Sequence, residues 1–381
     1  MALKTWYKTA IIILIVIGTG GIIYYFNLSN RHKAIVKTQL LHFFNVIDSD
    51  WDQTLSDKSL TLESPALLID NIYKSMEGPK ALEYFYFDKS NPQLFWMTNF
   101  KVSAKNLANK TISNDFICHM NINYIEQEHH GRWHLLDRIN MQFPRLISLS
   151  HGVESISFPD GFGFPFFGDE QFFITTETLN HNVKDSIFQV KHDISIGYTA
   201  KKLKPLMPRT IFMQLPFDIN KLDDADINDI EPNSCIPVET KNLTYFNKKG
   251  QILSGHWKIN KGKQVFTCNV TKQLSLKDTL RLHQITPHLH PFAEQFTLKD
   301  LTTNEILYNC IVTNHRNRVG LSDTPVFSSK EGVLMFPDHI YELILTTNNT
   351  SDEIQDMMAS MFLFFYDKEM AVKTKNYLNV N

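Results

Sequence analysis

Short apolar runs separated by clusters of Asn, Asp, Gly and Pro recur through most of this chain, and that rhythm constrains the fold more than any other feature. Residues 82–87, 94–100, 116–124, 171–178 and 189–198 read as strands. After an interruption the rhythm resumes at 264–270, 279–290, 295–298, 306–312, 341–346 and 361–366. Strands at this spacing build β-sandwiches. The abundance of Phe, at 28 residues, favours the same class. The interruption, 215–250, is acidic and turn-rich, from Asp223-Asp224-Ala225-Asp226 through Pro232 to Cys235. It lacks the spacing and closing Glu of an EF-hand, so it reads as a surface insertion rather than a calcium site.

The N-terminus follows another rule. Residues 10–26 are apolar apart from Gly and Thr, end in Tyr24-Tyr25-Phe26, and are preceded by Lys4 and Lys8. That length suits a bilayer span, and no small-x-small cleavage site follows, so an uncleaved signal anchor is expected rather than a cleaved signal. The bulk of the chain would then lie in a periplasm, a secretory lumen or the extracellular space. Ala34, Val36, Leu40, Leu41, Phe44 and Val46 give the next stretch a helical stripe.

Chemistry concentrates near one motif, Pro287-His288-Leu289-His290. Side chains on a strand repeat every two residues, so His288 and His290 share a face. A thioether from Asp356-Met357-Met358-Ala359-Ser360-Met361 would complete a His₂Met set, whose donors suit copper. The cysteines at 118, 235, 268 and 310 show no zinc spacing, and their pairing is open. Glu128-His129-His130 with His134 reads as a solvated turn. Glu294 reads equally as an orienter of an imidazole or as a surface carboxylate. His151, His283, His315 and His339 show no partner pattern. A net charge of −2 gives no field for nucleic acid. There is no G-x-S-x-G elbow, P-loop or H-E-x-x-H.

Over about 255–370 the chain resembles the copper type II, ascorbate-dependent monooxygenases, the family of peptidylglycine α-hydroxylating and dopamine β-monooxygenases. The carriers are His256-Trp257-Lys258-Ile259-Asn260-Lys261-Gly262-Lys263, then Pro287-His288-Leu289-His290, then Asp356-Met357-Met358 before an aromatic strand. More loosely, Phe158-Pro159-Asp160-Gly161-Phe162-Gly163-Phe164-Pro165 and Cys118-His119-Met120 resemble stretches around the family's second copper site. The resemblance implies an all-β fold of two tandem jelly-roll sandwiches, and it assigns the thioether role to Met358. It also implies a divergent, bacterial branch, because Cys118 stands where a ligand His belongs and Thr178 where the third His belongs, with His181 three residues on. Cys118 and His119 are thus open to three readings: a modified copper site including His181, a structural cysteine paired with Cys235 beside an ordinary His, or a vestige.

The expected organisation is an anchor at 1–30, a helical linker at 31–59, an N-terminal jelly roll at 60–184, a C-terminal one at 185–372 with the insertion, and a tail at 373–381. The implied function is membrane-anchored, copper-dependent hydroxylation of a C–H bond in a small molecule or peptide, using O₂ and ascorbate or another reductant. The alternative is a non-catalytic module of the same fold, for copper storage, sensing or delivery or as a scaffold.

Overall fold

The structure is a computed structural model that describes residues 2–217 and 252–380. Most of the acidic insertion lies outside the described residues, as does Cys235 and hence its pairing with Cys118.

Eleven strands form the N-terminal part: β1 (Asp52–Leu55), β2 (Ser59–Glu63), β3 (Leu67–Ile69), β4 (Lys80–Phe85), β5 (Leu94–Lys105), β6 (Ile117–Tyr124), β7 (Arg145–Leu149), β8 (Ser155–Ser157), β9 (Phe162–Phe167), β10 (Phe172–Thr178) and β11 (Phe188–Thr199). They make two sheets, one ordered β1-β2-β11-β5-β9 and one ordered β4-β10-β6-β7. The C-terminal part comprises β12 (Lys204–Phe212), β13 (Leu215–Phe217), β14 (Ile252–Ser254), β15 (His256–Ile259), β16 (Gly262–Asn269), β17 (Leu280–Leu289), β18 (Ala293–Asp300), β19 (Glu305–Ile311), β20 (Thr313–Asn314), β21 (Leu321–Asp323), β22 (Phe327–Met335), β23 (Tyr341–Asn349) and β24 (Gln355–Tyr366). Its sheets run β12-β24-β17-β22, with β15 on β24, and β16-β23-β18-β19. The molecule is therefore two tandem jelly-roll sandwiches: the strand rhythm implies the sandwich class, and the tandem jelly rolls agree with what the resemblance implies.

The boundary falls later than 184. β11 pairs with β2, β3 and β5, whereas β12 pairs with β24, so the chain changes sandwich at 200–203. The cause is alternation: β11 buries every second residue against the N-terminal core, from Val190 to Ile196, and belongs to that sheet. A short parallel pairing, Lys204 with Phe162 and Pro205 with Gly163, joins the two large sheets edge to edge. Gly163 permits this approach, since a Cβ there would stand 2.9 Å from Leu203 Cδ1, just before β12.

β24 holds the halves together. Met357, Ala359, Met361, Leu363 and Phe365 enter the C-terminal core, while Phe362 and Phe364 enter the N-terminal one. A period of two with both faces apolar is what a strand covered on both sides requires. Phe364 meets Phe158 edge-to-face at 4.7 Å between ring centres.

Helix α1 (Ala2–Phe26) includes a 21-residue stretch, Trp6–Phe26, long and apolar enough to cross a membrane, and none of it is buried in the protein. Helix α2 (Asn30–Phe43) forms the first part of the expected helical linker, whose remainder includes strand β1. Ser29 caps the helix by accepting from the His32 amide, Ala34 and Thr38 are buried, and Lys37 pairs with Asp70. Of the expected stripe, Ala34 is buried against the first sandwich, while Leu40, Phe44 and Val46 are exposed. α3 (Glu126–Arg132) and α4 (Thr271–Leu274) are short, and α5 (Lys368–Val380) occupies most of the expected tail.

Candidate metal centre

The register of three neighbouring strands assembles the site. His256 pairs directly with Met358 across β15 and β24, and His288 pairs directly with Ser360 across β24 and β17. Directly paired residues point the same way, and so do residues two apart on a strand. His256, Met358, His288 and His290 therefore share one face. Met357 and Met361 point the other way, into the C-terminal core, which removes them from the site.

The His288 and His290 ring centres are 5.8 Å apart, and those of His290 and His256 5.7 Å. Two imidazoles sharing one ion through nitrogen bonds of about 2 Å stand at separations of about 6 Å or less. From the N-terminal sandwich, His119 on β6 brings its ring centre to 6.4 Å from that of His288. His119 Nε2 also lies 3.8 Å from Glu177 Oε2 on β10.

His119, His151, His288 and His290 are buried and His256 and His181 half-buried, and desolvation is the first cause that keeps each of them neutral. It pushes His288 down to about 3 and His181 to about 4, and it holds His119, His290, His256 and His151 below the ordinary imidazole value. Neighbouring imidazoles add to the effect, His151 acting on both His288 and His290. Burial conversely raises Glu177 to about 7. Neutral imidazoles are the form that binds metal.

Several ring nitrogens have no protein partner: Nδ1 of His288 and Nε2 of His256, His151 and His181. His151 Nδ1 donates to the Ile117 carbonyl at 3.0 Å, which leaves Nε2 as the lone-pair nitrogen. A buried polar atom without a partner costs about 1–3 kcal/mol, and His288 Nδ1 and His256 Nε2 on the common face are open to a ligand or a water. Two imidazoles and a thioether on one face suit copper. Among the described residues, no three His, Cys, Asp or Glu side chains converge closely enough to hold a metal ion by themselves. A two-imidazole set completed by sulfur falls outside that criterion.

The second set does not assemble. Cys118, His119 and His181 are not gathered at one point among the described residues. A bulge at the β6–β10 pairing, where Thr178 pairs with Ile117 and Glu177 with His119, skips Cys118. His119 is thereby turned to Glu177 and His288, while His181 lies beside Pro291, Phe292 and Asp356, bordering the first site. Glu294 is no orienter; it accepts from Asn348 at 2.9 Å and pairs with Lys263 at 3.3 Å. Of the histidines expected in a solvated turn, His134 is exposed in a turn, whereas His129 and His130 sit buried on α3, with His129 Nδ1 2.5 Å from Glu170.

Two histidines near this face have no ligand role in the sequence reading. His256, 32 residues before His288, belongs to a segment that carries the resemblance, and the pairing of β15 with β24 sets it opposite Met358. His151 is brought in by β7, whose neighbour β6 carries His119. No local spacing encodes either contact.

One consequence concerns acid stability. His192 is fully buried, its Nδ1 2.5 Å from Thr176 Oγ1, and burial lowers it to about 4. The unfolded chain takes up that proton near pH 6.5. The folded value is depressed, so stability present above about pH 6.5 is lost as pH falls towards 4, by about 3 kcal/mol. Glu177, raised to about 7, acts in the opposite direction over part of that range. Denaturant midpoints should fall less steeply with acid in His192→Gln than in wild type; parallel slopes would contradict this.

No family model matches the chain, and no curated protein does. Among solved structures, it is similar to the glycosylasparaginase PNGase F from Flavobacterium meningosepticum at 7% identity and TM-score 0.33, covering 82% of this chain and 96% of that one. A second structure, of a peptide-N(4)-(N-acetyl-β-D-glucosaminyl) asparagine amidase, gives 8% identity and TM-score 0.31, with 79% and 95% covered. A triple jelly-roll protein from the turret of an archaeal virus gives 10% identity and TM-score 0.17, with 80% and 61% covered. Likeness this faint carries no functional argument.

Proposed function

We propose that this chain is a membrane-anchored copper-binding protein of monooxygenase type. Its bulk lies on the periplasmic, lumenal or extracellular side of the membrane. His288, His290 and Met358 would hold one ion, with His256 beside them. The observation that carries the reading is the common face shared by two buried imidazoles, the half-buried His256 and a thioether, with two ring nitrogens lacking any protein partner. Copper in such a site supplies a one-electron couple and a position for O₂. The chain's own residues orient the donors through strand register and exclude water by packing against the first sandwich. With ascorbate or another reductant, the activity would be hydroxylation of a small-molecule or peptide C–H.

A second reading is favoured by one observation: the Cys118, His119 and His181 set does not gather. Without a separate electron-storing centre, the protein would store, sense or deliver a single copper. Metal analysis of the purified protein after copper loading and dialysis decides. Two ions per chain support the hydroxylase, one supports the binding protein, and none overturns the copper proposal.

A further inference from the structure

A cavity of about 560 Å³ opens between the sandwiches, away from the candidate metal centre. Met358 and Tyr366 stand near opposite ends of β24, roughly 25 Å apart, and Tyr366 lines this cavity. The volume is that of a small-molecule site. Phe164, Leu206, Met207, Leu280 and Met370 give it an apolar wall.

Its polar groups are unevenly matched. Arg138 is held bidentately by Asp367, at 2.5 and 3.0 Å, and by Glu369 at 2.8 Å. Arg209, on β12, has no carboxylate among the described residues. Its Nη1 donates to the Leu274 and Ser275 carbonyls, the latter at 2.9 Å, and its Nε has no acceptor. Burial, followed by repulsion from Arg138, lowers Arg209 to about 10. His130, only 7% exposed, leaves its Nδ1 without a partner on the same wall.

We propose that this cavity binds a small monocarboxylate with an apolar or aromatic body, its carboxylate taken by Arg209. With Nη1 held by the two carbonyls, Nη2 is the guanidinium nitrogen left to donate to a carboxylate. The lining carries four acidic and four basic side chains, so the surroundings offer no surplus for a dianion. Neither copper nor its ligands enter into this site.

The test is calorimetric titration of the metal-free, full-length protein in detergent with 4-phenylbutyrate, 4-phenylbutanol and 4-phenylbutyl phosphate. The acid should bind about tenfold or more tightly than the alcohol, and more tightly than the phosphate. Arg209→Gln should bring acid and alcohol level. Met207→Trp, which fills the cavity, should remove binding and serves if Arg209→Gln fails to fold. Acid and alcohol binding equally, a preference for the phosphate, or acid binding unchanged by Met207→Trp would each overturn the proposal.

Discussion

His288→Ala should lower copper affinity by more than the roughly 10- to 100-fold that loss of an outer partner costs a metal site. The fold should survive. His288 Nδ1 makes no hydrogen bond in the protein, so the variant removes a desolvated polar group rather than a stabilising contact. A buried structural histidine would show the reverse pattern, lost stability with unchanged metal content. Met358→Ile should act like His288→Ala, because the thioether stands directly opposite His256 on the shared face. Met361→Leu supplies the control, since Met361 points into the C-terminal core with Leu363 and Phe365. Copper titration and denaturant midpoints on the three variants check all of this. Equal affinities across them would remove Met358 and His288 from the site.

Phe364→Ala should cost about 4 kcal/mol of stability, the largest effect expected of a single core substitution here. Phe364 is fully buried on the central strand and meets Phe158 of the other sandwich. Truncation loses its transfer free energy and leaves a cavity that surrounding strands, fixed by pairing on both sides, are poorly able to close. Because β24 serves both cores, unfolding should remain a single transition in wild type. A change below about 1 kcal/mol in urea denaturation would contradict the role given to this strand.

How much of this was legible beforehand depended on whether the information was local. Strands such as β11 and β23 were readable because each alternates buried and half-buried residues on its own. The sharing of a face by His288 and His290 was equally local, a matter of spacing by two. The choice of Met358 rested on resemblance, and strand register supplies its physical basis: its neighbours Met357 and Met361 face the core. The domain boundary was misplaced because β11 returns to the first sheet by pairing with β2 and β5, partners distant in sequence. His129 and His130 were misread because their burial comes from distant partners, Glu170 and Phe164. His256 and His151 depended on which strands lie side by side, which no single stretch records.

X-ray absorption at the copper edge of the reduced, copper-loaded protein tests the central claim most directly. The account predicts a sulfur neighbour alongside imidazole nitrogens, with the sulfur lost in Met358→Ile. A wild-type spectrum with nitrogen and oxygen neighbours alone would contradict it.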